Sequence, residues 1–560
     1  MSDIINFTPN PDKYRKLANE YAERGDFTRA LSFLFSAKSI RCDYKVLMDI
    51  ADVYADMGLL ELSNKYWYYY MDKAPKDKVS IAYEELAINY FYMDNYWASS
   101  FYFHKKLDTD GHISKEGLDK EIIDFFSGEE MKKTSYRLVY PFERADYSYN
   151  VKIAKHFLAL GAFSEAKKPL EEIPESVRNE EQSGELAMAS FMSDDLDGAE
   201  KACRNSLERN GENVTAYCHL STVYNMREDA DKADYYYQKA LSIRKGEKGE
   251  EYNLATCAIE RGDHFTAKGC LIKILEDRPH EASMRFFYGI SLINLGEYQK
   301  AKKELEKTYR LNPDDAVCYY YLTLADDLEN GVVGAEKLLP LKYEKELPKK
   351  VAKKYSQKLK SLVAEPMKIS SALKKNEIRK IVEWGLYFGE GQTPRDAVFI
   401  LSNDYSSYSK SLVKTALLDI EVKEEIKRVL IYVLIVSGVK EKFGVTAGSF
   451  YLKIKPKKLL CEKSPEGAIY FAAYALCMAR VAFWEFENLD VIGQKIDKIY
   501  KAFSGKVTEA EVTNEELAAL LLSECGFKWV KNPKDVTKLF EITPQKLTKL
   551  TDMLKGENHD

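Results

Sequence analysis

The sequence predicts an all-α protein: a series of helical hairpins over residues 1–340, followed by a separate helical domain. Three observations carry that expectation. A Gly, an acidic or small residue, an aromatic and an Ala recur in "RGDFTRA", "LGAFSEA", "RGDHFTA" and "LGEYQKA". Ala199, Ala233, Ala267 and Ala301 stand 34 residues apart. Proline is sparse, 16 among 560 residues, so few positions would break a helix.

The recurring Ala sets the register of each period. A small residue lies 12 positions upstream of it at Ala187, Ser221, Ala255 and Gly289, and Pro279 and Pro313 fall at equivalent places downstream. Between these marks, apolar residues repeat at helical spacing, a Gly or acidic turn intervenes, and a second helical run follows. The small residues mark where two antiparallel helices cross too closely for a larger side chain. A lone hairpin cannot bury its apolar face, so neighbouring hairpins must stack. An earlier array shows the same marks at Ala30, Ser63 and Ser99, with Gly25 and Gly58 five residues before the first two.

This register resembles the tetratricopeptide repeat family. The best match is "ASMRFFYGISLINLGEYQKAKKELEKTYRLNPDD", which carries Gly289, Gly296, Tyr298, Ala301, Leu305 and Pro313 in phase. The family's Trp is absent throughout, and the repeat at 180 lacks the turn Gly. The resemblance implies a tetratricopeptide-type α-solenoid, a right-handed superhelix of helical hairpins, ahead of an α-helical C-terminal domain. Repeats are placed at 11–43, 44–77, 80–113, 147–179, 180–213, 214–247, 248–281 and 282–315, with a partial unit from 316. The domain reading is 1–113 for the first block, 114–146 for a connecting helix and loop, and 147–340 for the second block. A basic helical linker at 341–380 and a helical domain at 381–560 follow. For 114–146 two readings stand, a break in the solenoid or a degenerate repeat.

In that family the first helices line the concave side, which implies groove positions here. In the first block they include Asp12, Glu23, Asp52, Asp56 and Glu84, an acidic lining suited to a basic segment. In the second they include Met188, Phe191, Met192, Met226, Tyr252, Ile259, Phe286, Ile290, Ile293 and Tyr320. An apolar lining with Met suits an apolar helix or extended peptide. Such stripes are also what an intramolecular core looks like, and the chain's own C-terminal part is one candidate to fill the groove. Some family members grip a C-terminal carboxylate with Lys, Arg and Asn on three successive first helices. Arg15 and Asn19 match the first, but Asp49, Asp52, Ile81 and Glu85 follow, and acids repel a carboxylate.

Beyond Leu341 the charge changes sign. Residues 341–560 hold 38 Lys and Arg against 29 Asp and Glu, a net of +9, which leaves −14 of the whole-chain −5 for residues 1–340. Much of the excess lies in "PKKVAKKYSQKLKSL" and "ALKKNEIRK", a solvated helix face or linker, or a contact for nucleic acid, an acidic partner or the acidic N-terminal groove. "LLDIEVKEEIKRVLIYVLI" resembles one HEAT-type repeat unit, and "GSFYLKIKPKKL" alternates as a strand or hairpin. "PKDVTKLFEITPQKLTKLTD" fits the spacing of a helix-turn-helix and resembles the end of a cyclin-like helical fold. Leu547 and Leu550 face inward there, and Gln545, Lys546 and Lys549 are candidates to approach DNA. Glu541 stands where that motif prefers Gly.

Several chemistries lack their residues. The nine Cys form no CxxC pair and the seven His no HExxH, so neither a metal nor any other cofactor is expected. Scattered Cys in odd number point to a reducing, cytoplasmic setting. No GxxxxGK[ST] or GxSxG occurs, and the paired acids Asp194-Asp195 and Asp314-Asp315 fall near helix starts, where carboxylates cap. The runs "VLIYVLIVSG" and "AIYFAAYALCMA" are too short to span a bilayer and read as buried helices; no secretory signal opens the chain. The expected function is a non-enzymatic scaffold for a protein or peptide partner, with no membrane and with nucleic acid disfavoured. A transcriptional regulator that touches DNA through its C-terminal helices is the alternative.

Overall fold

The computed structural model describes residues 10–110, 147–335 and 340–556, apart from 176, 247, 405, 484–488, 505–511, 529 and 531. It divides into two compact units, residues 1–347 and 348–560. The connecting stretch expected at 114–146 lies outside the described residues.

In the first unit the hairpins fall on the predicted repeats. They are α1 (Pro11–Ala22) with α2 (Phe27–Ile40), α3 (Tyr44–Asp56) with α4 (Leu60–Lys73), and α5 (Val79–Tyr92) with α6 (Tyr96–Asp110). The second block holds α7 (Tyr147–Ala159) with α8 (Phe163–Glu172), α9 (Glu180–Met192) with α10 (Leu196–Arg209), and α11 (Val214–Met226) with α12 (Ala230–Ile243). It ends with α13 (Lys248–Glu260) and α14 (His264–Asp277), α15 (Ala282–Asn294) and α16 (Tyr298–Leu311), and the unpaired α17 (Ala316–Glu329). This is a tetratricopeptide-type α-solenoid.

Local chemistry explains the punctuation. Between the helices of a hairpin one residue takes a left-handed backbone: Gly262 at φ +70° and Gly296 at φ +76°, where no Cβ opposes the turn. The repeat at 180, which has no Gly there, puts Asp194 at φ 62° in its place. Four second helices, α2, α10, α12 and α14, then open on a carboxylate cap. Asp195 accepts from the Gly198 N–H at 2.9 Å and Asp263 from the Thr266 N–H at 3.0 Å. Asp315 caps α17 in the same way, accepting from Cys318 at 2.8 Å. The register residues Ala30, Ala166, Ala199, Ala233, Ala267 and Ala301 are all fully buried, as are Ser63 and Ser99.

One feature of this unit has no local signal. Residues 66–70, "YWYYY" in α4, are all buried, although five consecutive residues at about 100° each encircle a helix. One neighbour of Tyr66 leads far along the chain. Tyr54, whose ring meets Tyr66, donates its hydroxyl to the Leu311 carbonyl at 2.5 Å. Phe27 stands edge-on to His280 with centroids 5.7 Å apart, and α2 packs on α16. The first two repeats thus rest on the seventh and eighth.

The second unit begins at Pro348, so the boundary inferred from charge moves. Residues 341–380 are not a linker: 341–347 belong to the first unit, and α18 (Lys349–Ala364) packs into the second. Leu359 of α18 is fully buried against Gly385, and Tyr355 stands edge-on to Trp384. The chain continues through α19 (Asn376–Tyr387), α20 (Thr393–Ser402), α21 (Ser407–Leu418) and α22 (Glu424–Val436). The alternating segment forms an antiparallel hairpin, β1 (Phe443–Ala447) with β2 (Phe450–Ile454), closed at Gly448-Ser449. Lys427 of α22 is buried and donates to the Thr446 carbonyl at 2.8 Å and hydroxyl at 2.7 Å, tying helix to hairpin. Burial holds that ammonium at about 8, below the usual lysine range. Then come α23 (Ala468–Val481), α24 (Leu489–Phe503), α25 (Asn514–Cys525), α26 (Pro533–Phe540) and α27 (Pro544–Gly556). Both apolar runs lie in packed helices, α22 and α23, and among the described residues no helix is long and apolar enough to cross a membrane.

Candidate functional site

Two residues before each turn, the first helices carry a column with the repeat's own period: Met192, Met226, Glu260 and Asn294. Met192 and Met226 are 51% and 47% exposed, in a protein that buries most of its apolar side chains. Phe191 and Met188, one turn or less away on α9, are half-buried, and Phe191 meets His219 of α11 edge-on at 5.9 Å. Thr222 of α11 donates to Glu260 of α13 at 3.0 Å, and Asn253 donates to Thr215 at 3.0 Å. Successive first helices are therefore pinned to each other while the two methionines stay open. Such a strip is apolar, preformed and deformable in shape.

Farther along the column the face is covered. Residues 341–347 lie on it, fastened at Asn294. The Leu341 N–H donates to Asn294 Oδ1 at 2.7 Å, and Asn294 Nδ2 donates back to the Leu341 carbonyl at 2.9 Å. One amide side chain thereby satisfies both backbone groups of a passing residue. Tyr343 stacks on His264 at 5.7 Å, hydrogen-bonds its ring nitrogen at 3.0 Å, and stands against Phe287 at 6.3 Å. Tyr321 of α17 donates to the Glu346 carbonyl at 2.9 Å, and Lys345 pairs with Asp315 at 3.0 Å. Leu341 and Leu347 are buried, Lys342, Glu344 and Glu346 are exposed, and Lys345 reaches the buried Asp315 carboxylate.

This cover corrects part of the predicted groove. Phe286, Ile290 and Ile293 are 1%, 0% and 0% exposed and belong to the interior. Phe286 packs edge-on against Tyr321 of the next first helix, and residues 341–347 cross the neighbouring turns of α15. Ile259 and Tyr252 are partly buried against the core around Leu254 and Leu271, with the Arg278 guanidinium over the Tyr252 ring. Tyr320 is half-buried beside Tyr321. The ten residues do not form one continuous open groove.

The acidic positions also divide. Asp12 pairs with Arg41 at 2.8 Å and Glu84 with Lys106 at 2.8 Å, so both are neutralised. Glu23 is exposed at the end of α1. Asp52 and Asp56 of α3 stand near Glu85 of α5, and no cation lies within ion-pair reach of these three among the described residues. Protein crowding, and then the charges of Glu85, Asp49 and Asp56, push the Asp52 carboxyl up to about 7. Neighbouring protein raises the half-buried Glu85 and, with more screening by water, the exposed Asp56, and lifts Glu185 on α9 to about 7 against the opposing pull of Lys155. Arg15 is held by Asp49 in a bidentate pair, with Nε–Oδ2 at 2.5 Å and Nη2–Oδ1 at 3.0 Å. That guanidinium is not free to clamp a carboxylate.

In the second unit, α26 and α27 make the predicted two-helix corner, with Leu547 and Leu550 buried and Glu541 at φ 56° in the turn. Gln545, Lys546 and Lys549 are exposed, but Lys546 is paired with Glu516 of α25. With Glu541, Asp552 and Lys555 also at the surface, the corner is mixed in charge rather than a basic strip. Among the described residues no group of three or more His, Cys, Asp and Glu is placed to hold a metal ion.

The repeat register places Met192 and Met226 on the first-helix face, but it carries no sign of the segment at 341–347 or of the contact made by Asn294. The signal was Leu341, Tyr343 and Leu347 between Pro340 and Pro348, hidden inside a charge run.

No protein-family model and no curated protein matches the chain. Solved structures do resemble it. The C-terminal part of a TPR repeat-containing protein from Cytophaga hutchinsonii is 13% identical, over 48% of this chain and 99% of that one, with a TM-score of 0.27. Yeast Tom70 is 11% identical over 95% and 99%, with a TM-score of 0.28. The human IFIT1 dimer with m7Gppp-AAAA is 15% identical over 77% and 93%, with a TM-score of 0.29. At those scores the tetratricopeptide assignment rests on this chain's own 34-residue register and its stacked hairpins.

Proposed function

We propose that this protein is a non-enzymatic interaction scaffold that holds a protein or peptide segment on the first-helix face of its second repeat block. The observation that carries the reading is the column itself. Asn294 already holds an extended segment by its backbone, and Met192 and Met226 repeat that position on earlier helices with about half of each side chain open. Backbone capture by an amide beside an apolar strip is a general way to bind an extended chain with little dependence on its sequence. The helices are fixed before binding, so little ordering cost falls on the scaffold.

The test compares wild type with the double variant Met192→Asp, Met226→Asp. Both sites are exposed, so the expected change in unfolding free energy is within about 0.5 kcal/mol at each site. Affinity capture followed by mass spectrometry should lose the wild-type partner set. An unchanged partner set from a folded double variant would end this reading. Ile290 is unsuitable for that experiment, since an unpaired charge at a fully buried site disrupts the fold rather than the face.

A further inference from the structure

Residues 341–347 are held as a bound peptide is held, with Leu341, Tyr343 and Leu347 seated against the repeats. Their backbone is captured by one side chain, Asn294, and by the Tyr321 hydroxyl, not by a helix or sheet. Two leucines and one tyrosine face the repeats, Lys345 pairs with Asp315, and Lys342, Glu344 and Glu346 face water. Pro340 and Pro348 bracket the segment, and the chain leads from it directly into α18. The column that holds it continues through Glu260, held by Thr222, to the open methionines, so one strip of first-helix surface is occupied at one end and vacant at the other.

We infer that residues 341–347 are a displaceable internal ligand, and that the partner is an extended segment with a Leu-x-Tyr pattern that replaces them at Asn294 and Tyr321. This rests on the scaffold reading above and adds the chemistry of the partner. The apolar residue seats beside Asn294. The tyrosine two positions later stacks on His264 and Phe287, where its hydroxyl finds the His264 ring nitrogen. The partner's chain on the other side of that motif runs over Met226 and Met192. Because the internal segment is tethered, it competes at high effective concentration. The apparent affinity for an outside segment is reduced by the fraction of molecules in which the site is closed.

The probe is a fluorescent peptide, PLKYEKELP, which reproduces residues 340–348. It is titrated into the full chain and into the variant Leu341→Ser, Tyr343→Ala. The weakened internal segment should let the variant bind the peptide roughly tenfold or more tighter than wild type. Adding Asn294→Ala should abolish the gain. A variant that keeps its helical melt but gains no binding overturns the inference. Should the variant fail to fold, hydrogen exchange on wild type decides. The Leu341 amide should exchange faster than the amides of α15, and equal protection overturns the inference. The peptide assay involves no outside partner, so its failure is distinct from a failure at Met192 and Met226.

Discussion

At the scale of single residues, the least expected group is Asp52. Its carboxyl is pushed up to about 7, first by the protein around it and then by Glu85, Asp49 and Asp56, although the residue is exposed and water screens part of the effect. The unfolded chain titrates it near 4, so between about pH 4 and pH 7 the folded protein keeps a proton that the unfolded chain has lost. Stability therefore falls as pH rises through that window, and the penalty is complete above it. His156 and His219, lowered to about 4 by burial, act in the opposite sense between about 4 and 6.5, so the wild-type curve mixes both effects. Asp52→Asn isolates the carboxylate. Its melting temperature should exceed that of wild type above about pH 7, with the gap closing towards about pH 4. A gap that is flat with pH would show that Asp52 ionises normally. Asp52 and Asp56 were legible as acids on the first-helix face that the family resemblance implies. Which acids were neutralised was not, because the cations Arg15, Arg41 and Lys106 come from other turns and helices.

At the scale of elements, the hairpin depends on where small residues sit, and two glycines show how. A Cβ at Gly289 would stand 2.7 Å from Leu305 Cγ and 2.8 Å from its Cδ2, across the α15–α16 crossing. Gly269, inside α14, has nothing within 4 Å of the same atom. One substitution should thus have opposite signs at the two sites. Gly289→Ala is expected to cost about 1–3 kcal/mol by overpacking. Gly269→Ala should stabilise by roughly 0.5–1 kcal/mol through helix propensity. Urea denaturation of both variants measures the contrast, and a Gly289→Ala variant as stable as wild type would mean that the helices separate without cost. Elements of this kind were readable because the constraint repeats every 34 residues. The short segment at 341–347 repeats nothing, and its identity as an element depends on the surface it lies on.

At the scale of the whole first unit, stability is more than a sum over neighbouring hairpins. In a simple solenoid each repeat touches only the next. Here the Tyr54 hydroxyl reaches the Leu311 carbonyl, 257 residues away in sequence, and α2 meets α16. Tyr54→Phe leaves that buried carbonyl without this donor at nearly constant volume. The expected loss is about 1–3 kcal/mol of unfolding free energy. Hydrogen exchange should rise at the end of α16 as well as in α3. A variant indistinguishable from wild type by both measures would show that the contact adds nothing to the unit.

The chain by itself determined the hairpins, their register and their turn residues. Each of these follows from periodic burial and from backbone chemistry within about one repeat, which a linear string displays directly. Tertiary structure decided what no period encodes: that Phe286, Ile290 and Ile293 are interior, that residues 341–347 cover the face beside them, and that the first repeats rest on the eighth. Those outcomes depend on which distant surfaces meet, and burial from a distance leaves the same apolar letters in the sequence as a vacant groove does.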